Sequence, residues 1–578
     1  MAETAHPDDT TSASPSWATP EVEQRVEALL SDMTLEEKVT FATGDLDWNY
    51  GFYSKSLERL DLPALQMADG PAGVRINKGD VHQGKATALP APIALAATWD
   101  PSLANEYGAV VGLECRATDH NVSLGPAVDI ARVPLGGRTF ESYGEDPLLA
   151  GSIGVEMVRG VQAQGVQACA KHYAINNQED HRSSVDAVID ERTMRELYLP
   201  PFEALISDGE VASMMGSFNR VNGTFACENP TLLIDLLRNT FGFQGWIMSD
   251  YGANHSTADA ANAGLDQEYP IRLDYAANHP SQGFLLGARF RLGWVPPAGV
   301  YSPEVTEAAE LAAKSDVAVV VVRTYEAEAD DRPHMGLPSG QDDLIKAVLA
   351  ANPRTVVVLM TGAPVDVTRW GQEPAALLQA WFPGQAQGEA LARVLTGEVE
   401  PGGRLPLTIP ASLADTPAAD PRTYPGVDGQ VHYTEGVFVG YRAVTADGPA
   451  PSYPFGHGLG YTSFDFSDLA VEAADGDDVA TVSVTVANTG GREGSEVVQV
   501  YVGELPAPVP TPARQLAAFA KVKLAPGESE RVSLSVPRRK VSYFDVETHD
   551  WATPAGEVEI GVGASSADIR LTGAIQVA

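Results

Sequence analysis

Cysteine is nearly missing from this chain. Three occur in 578 residues, Cys115, Cys169 and Cys227, far apart and odd in number, so neither a disulfide framework nor a zinc motif is supported. Basic residues are scarce too: 39 Lys and Arg stand against 77 Asp and Glu, a formal net charge of −38. That balance argues against nucleic acid or an anionic membrane as partner; it suits a neutral or cationic ligand, or plain solubility. No apolar run reaches the length of a membrane span. Residues Met1 to Pro20 are rich in Ala, Thr, Ser and Pro and lack the basic and apolar regions of a signal peptide. The expectation is a cytoplasmic protein behind a short disordered tail, 1–20. A Gly-rich phosphate cradle ahead of a helix and a metal-spaced set of His, Asp and Glu are also missing, so no cofactor or metal is expected.

What is present is a chain long enough for two to four domains. From Glu21 to about Asp266, short apolar runs alternate with amphipathic helical stretches. Strand candidates are Leu65–Asp69, Ala91–Ala97, Ser123–Ala131, Val166–His172, Ala212–Phe218 and Gly245–Asp250. Helical stretches such as Pro101–Thr118, Pro147–Gln164 and Glu191–Ser207 lie between them. This predicts an α/β fold beginning with a (β/α)8-like barrel over 21–268. A second α/β unit, a sandwich domain over 301–410, is predicted from the aliphatic runs Val317–Val322 and Thr355–Met360, read as parallel strands buried on both faces. Residues 411–463 read as a linker, with Ala411–Thr434 as an exposed connection. From Phe464 to the end, alternating strands such as Thr481–Val486 and Val497–Val502 are split by turn clusters. They predict a β-sandwich of immunoglobulin or fibronectin type III kind over 464–578.

The chemistry gathers at the strand ends of the first domain. Asp69 opens Asp69-Gly-Pro-Ala-Gly-Val-Arg75; Arg138 lies in a Gly-rich loop; Lys171 and His172 end one strand and Asp250 another. Each alone is as readily a cap or an ion-pair partner, but barrel strand ends share one face, so distant groups converge there. Carboxylates, Arg, Lys and His together offer the donors and acceptors that orient a neutral polyol. Neighbouring strand residues point to opposite faces, so Lys171 and His172 both reach inward only if the strand is irregular there.

Glycoside hydrolysis needs two carboxylates in different protonation states. Cationic Lys171 and Arg138 should keep Asp250 ionised as a nucleophile. A partner acid is available in Tyr325-Glu-Ala-Glu-Ala-Asp-Asp-Arg332, where like charges around Glu328 should raise its pKa. On spacing alone this cluster reads first as a solvated acidic loop.

These residues resemble those of glycoside hydrolase family 3, the retaining β-glucosidases and relatives. The matching stretches are Ala68-Asp-Gly-Pro-Ala-Gly-Val-Arg75, Gly137-Arg-Thr-Phe-Glu-Ser-Tyr-Gly-Glu-Asp-Pro147, Ala170-Lys-His-Tyr173 and Met248-Ser-Asp-Tyr251. Tyr453-Pro-Phe-Gly-His-Gly-Leu-Gly-Tyr-Thr-Ser-Phe464 resembles the family's entry to its fibronectin type III-like domain. The resemblance implies Asp250 as the nucleophile that forms a covalent glycosyl-enzyme. It implies Asp69, Arg75, Arg138, Lys171 and His172 as sugar ligands, with Met215 lining the subsite and Tyr251 meeting the sugar. Glu328 in Glu328-Ala-Asp-Asp-Arg332 aligns with the family's acid/base, which reverses the preference for a solvated loop; Glu326 is the fallback. Lys171-His-Tyr-Ala-Ile-Asn-Asn177 departs from the loop of the family's β-N-acetylhexosaminidases, which disfavours that subfamily.

Phe218 stands where many members carry a Tyr, and Tyr251 where a Trp is common. A larger departure follows Glu268. Residues 269–300, with Arg272-Leu-Asp-Tyr-Ala-Ala277 and Phe290-Arg-Leu-Gly-Trp294, resemble the last strands of a PA14 insert, as if an internal segment were deleted and the barrel left incomplete. The implied activity is removal of terminal β-D-glucosyl residues from a small glucoside. A β-xylosidase, a natural-product deglucosylase and an impaired sugar-binding remnant are the alternatives.

Overall fold

The computed structural model describes residues 15–47, 51–76, 86–269, 305–444 and 448–578. The expected remnant over 269–300 falls, beyond Tyr269, outside the described residues, as do residues 1–14 of the expected tail. Residues 15–20 are tied down: Trp17 Nε1 donates to the Glu210 carbonyl at 3.1 Å, and Pro20 opens a helix to Asp32. No helix among the described residues is long and apolar enough to cross a membrane.

The first region is built on a seven-stranded sheet. Its order is Asp45–Asp47, Gly51–Ser54, Leu65–Ala68, Val122–Ser123, Gln167–Tyr173, Ser213–Gly216 and Trp246–Ser249. The first three strands pair antiparallel and the rest parallel, so the alternation of strand and helix starts only after Leu65. Hydrogen bonds join the two edges. Gln267 bridges Met248, Glu268 bridges Thr43, and Gly44 donates to the Glu268 carbonyl at 2.7 Å. Local signals set the outer helices: Asp100 and Asp146 cap Pro101–Ala117 and Pro147–Gln162, each accepting two backbone N–H groups beside a proline at the first turn.

Two strand expectations fail for readable reasons. Ala91–Ala97 is a short helix, Pro92–Ala96; Pro92 sits at its first position and alanine favours helix over strand. The stretch expected as strand Ser123–Ala131 is continuous strand only at Val122–Ser123; Gly125 and Pro126 interrupt the ladder, which resumes as a single bridge from Ala127 to Lys171.

The second region is a parallel sheet of three strands, Ala318–Arg323, Thr355–Met360 and Ala376–Gln379. The first of these answers to the run Val317–Val322, expected to be buried on both faces. Among the described residues it is an edge strand instead, with Ala318, Val320 and Val322 buried but Val319 47% and Val321 46% exposed. An unbroken aliphatic run records how apolar a strand is, not what covers it.

The expected connection Ala411–Thr434 is mostly exposed or half-buried, but it and the rest of 411–463 are pinned at several aromatic and aliphatic residues. Tyr424, Val431, Tyr433, Tyr441 and Phe455 are buried, and Gln430–His432 adds a strand beside Asp186–Val188. Tyr441 donates to Asp146 at 2.7 Å, fixing the connection to the N-cap of the helix Pro147–Gln162. The C-terminal region is two antiparallel sheets of three and four strands around a core of valines. Trp99, fully buried, stands between Phe455 at 5.1 Å and Phe519 at 5.2 Å and locks this region to the first.

Candidate active site

At the carboxyl ends of the parallel strands lies a cavity of about 470 Å³. Asp69, Arg75, Arg138, Lys171 and His172 line it, together with Met215, Asp250, Tyr251 and Glu328. Eight of these come from the first region; Glu328 reaches the same cavity from the loop after Ala318–Arg323.

Asp250 follows the strand Trp246–Ser249, and its N–H donates to the Gly216 carbonyl at 3.1 Å. Lys171 and His172 both face inward. The ladder of their strand shifts register between Ala170 and Tyr173, and the Lys171–His172 peptide is cis. Lys171 Nζ lies 3.0 Å from Asp69, and Arg75 is 3.6 Å from the same carboxylate. Burial alone would raise the Asp69 pKa, but Lys171, Arg138 and Arg75 hold it at about 2.

The histidine's tautomer follows from its neighbours. Arg138 Nη1, a donor only, sits 3.0 Å from His172 Nε2, so that nitrogen accepts. Nδ1 then carries the proton and donates to Asp129 at 2.8 Å. Burial, then Arg138 and Lys171, push the imidazole pKa well below its ordinary value, so the ring is neutral. Nε2 lies 3.7 Å from Asp250.

Charge is ordered opposite to the expectation from sequence. Burial, and then Glu328, raise the Asp250 pKa against the opposing Arg182, Lys171 and Arg138. Glu328 is lowered: burial acts to raise it, but Arg138 and Arg182 outweigh burial. Arg138 acts first, and beside it stands an arginine not among the expected residues. Arg182 Nη2 donates to Glu328 at 2.7 Å, its Nη1 donates to Glu179 at 2.6 Å, and its guanidinium lies 4.5 Å over the Phe218 ring. The phenyl at 218, without a hydroxyl, is therefore the platform for this arginine. Glu326 is elsewhere: its side chain is fully buried in the second region, accepting from Thr324 at 2.7 Å and lying 3.7 Å from Arg332.

Asp129, Glu179 and Arg182 complete the site beyond the expected residues. Asp129 carried the same signal as Asp250, an acid closing an apolar run, but lay inside a stretch read as strand. Glu179 and Arg182 sit in a loop with no periodicity to mark it. Phe52 adds an aromatic wall, its ring edge-on to Tyr251 at 5.8 Å.

A cavity at strand ends, walled by fixed cations and carboxylates and met by a glutamate from the second region, fits one enzyme class: hydrolases of glycosidic bonds. Comparison with known proteins gives the same answer. The sequence profile of the glycosyl hydrolase family 3 C-terminal domain matches residues 155–461, and that of the fibronectin type III-like domain matches 496–566. Thermostable beta-glucosidase B of Acetivibrio thermocellus is 34% identical over 671 aligned positions, covering 96% of this chain and 88% of that protein. The exo-α-(1→6)-L-arabinopyranosidase of Bifidobacterium breve is 32% identical, covering 94% and 87%. Among solved structures, beta-glucosidase 3B of Thermotoga neapolitana in complex with glucose superposes with a TM-score of 0.87 at 31% identity, covering 96% of this chain and 99% of that one. The chain belongs to glycosyl hydrolase family 3.

Proposed function

We propose that this chain removes terminal non-reducing β-D-glucosyl residues from small glucosides, with retention of configuration, through a covalent glycosyl-Asp250 intermediate. One observation carries the reading: Asp250 and Glu328, from different regions of the chain, line a single cavity with Asp69, Lys171, His172 and Arg138. Asp69, Lys171 and His172 bind sugar hydroxyls. Asp250 attacks the anomeric carbon while Glu328 protonates the departing oxygen, and the same carboxylate then activates water against the ester. Because Arg182 favours ionised Glu328, the glycosidic oxygen must compete with that arginine for the carboxyl group. The two carboxyls titrate as a coupled pair. In this reading the joined ring of strands is the (β/α)8-like barrel, and 21–268, 301–410 and 464–578 are separate domains.

The test is hydrolysis of 4-nitrophenyl β-D-glucoside, with the product anomer followed by NMR. A 2-deoxy-2-fluoroglucoside should add one glycosyl mass to the wild-type chain and none to Asp250→Ala. An α-anomer as first product, or labelling that survives the substitution, sinks the mechanism. The arabinopyranosidase relative supports a second reading, a pentopyranoside substrate. A higher kcat/KM on 4-nitrophenyl α-L-arabinopyranoside than on the glucoside would select it.

A further inference from the structure

Three residues beyond Glu328, the chain carries a carboxylate whose hydrogen bonds run to other parts of the chain. Asp331 is buried. Its Oδ1 accepts the N–H of Gly137 at 2.7 Å. Its Oδ2 accepts the N–H groups of Glu179 and Asp180, each at 3.0 Å, and the Tyr424 hydroxyl at 3.1 Å. Gly137 precedes Arg138, and Glu179 and Asp180 precede Arg182. Tyr424 belongs to the connection beyond the second region. One carboxylate thus gathers both cation-bearing loops of the cavity and a third segment.

The next residue grips the other way. Arg332 points into the second region, its Nη1 and Nη2 donating to the Pro364 and Met335 carbonyls at 2.5 and 3.1 Å. Between these opposed anchors the backbones leave no slack. A Cβ on Gly137 would lie 2.1 Å from the Asp330 carbonyl oxygen and 2.5 Å from that of Ala327. Ala329 N–H adds a bond to Glu179 at 2.6 Å. Carboxylates that accept several backbone N–H groups are among the stronger fixed contacts a protein makes.

We propose that Asp331 is a positioning residue for the proton-transfer step: it clamps the Glu328 loop onto the loops of the first region and so sets where Glu328 meets the glycosidic oxygen. This rests on the reading of Glu328 as acid/base. General-acid catalysis matters most for poor leaving groups, so faulty positioning has a signature that plain loss of structure lacks.

The experiment compares kcat/KM, which reports the first chemical step, for 2,4-dinitrophenyl and phenyl β-D-glucosides in Glu328→Gln, Asp331→Asn and Tyr424→Phe. Glu328→Gln should lose about 10²-fold or more on the phenyl glucoside and little on the dinitrophenyl one. Asp331→Asn should repeat that split at about 10-fold or more, with added azide raising its turnover of the dinitrophenyl glucoside. Tyr424→Phe, which removes one of the four bonds, should show the split weakly, and decides the matter if the Asn variant does not fold. An equal loss on both substrates, or a lower melting temperature with no split, overturns the proposal. Should Glu328→Gln itself show no split, the acid/base reading has failed, and the role of Asp331 falls with it.

Discussion

The cavity wall and the outer face of the second region are opposites. Around Asp250, polar and charged side chains crowd together, several of them buried, and nearly every one is held by another: Lys171 by Asp69, His172 by Asp129, and Arg182 by both Glu179 and Glu328. Around Val319 and Val321, apolar side chains are exposed and nothing among the described residues covers them. The N-terminal helices Pro20–Asp32 and Leu35–Ala42 likewise bury no residue fully. The first kind of surface leaves polar partners stranded if one group is removed, a large penalty. The second loses little when changed. Constraint in this molecule is concentrated at the junction of the first two regions and is thin at their periphery.

The sharpest break of that contrast is at the nucleophile. Asp250→Ala should lower kcat/KM on 4-nitrophenyl β-D-glucoside by about 10⁴-fold or more while the far-ultraviolet circular dichroism stays unchanged. A residual rate near wild type would move the nucleophile elsewhere. Next comes the buried pair that does not face the cavity. Glu326→Leu strands Arg332 and should cost about 3 kcal/mol of stability, read as a lower melting temperature, while the preference between good and poor leaving groups stays as in wild type. A changed preference would restore Glu326 as a candidate acid.

Arg182→Met should move the pH profile of kcat/KM as a whole. Activity needs Asp250 ionised and Glu328 protonated. Arg182 lowers both pKa values, so removing it lets both rise, and both limbs of the bell shift to higher pH. A profile that stays put would mean that this guanidinium does not act on the pair. The smallest effect belongs to the bare sheet. Val319→Thr with Val321→Thr should alter stability by no more than about 0.5 kcal/mol. Val500→Thr, which puts a hydroxyl in the C-terminal core, should cost about 1–3 kcal/mol. Equal penalties in thermal melts would show that the bare face is covered in solution.

Much of this was legible beforehand because it depends on short-range signals. Proline and aspartate at helix starts, and the acid at the end of Trp246-Ile-Met-Ser249, announce themselves locally. Asp69, Lys171, His172 and Asp250 share one cavity because strand ends of a parallel sheet share a face, whereas Glu328, from the second region, was placed with them by the family resemblance. What stayed hidden depends on partners distant in sequence. The directions of the Asp250 and Glu328 shifts turn on how deeply each is buried and on Arg138 and Arg182 together, and a loop without periodicity delivers Arg182. The burial of Tyr424 and Tyr433 turns on a strand added across the fold, and the exposure of Val319 on a neighbour that the run itself does not specify.

The two-residue seam at Gln267 and Glu268 has a consequence for how such chains change length. It joins the last strand to the first with only a few backbone hydrogen bonds, and Tyr269 ends the seam by donating to Ser249 and accepting from Gly252 at 2.8 Å each. Every bond of this seam is made by residue 269 or an earlier one, so foreign modules grafted after Tyr269 would leave each of these bonds with its own donor and acceptor in the chain.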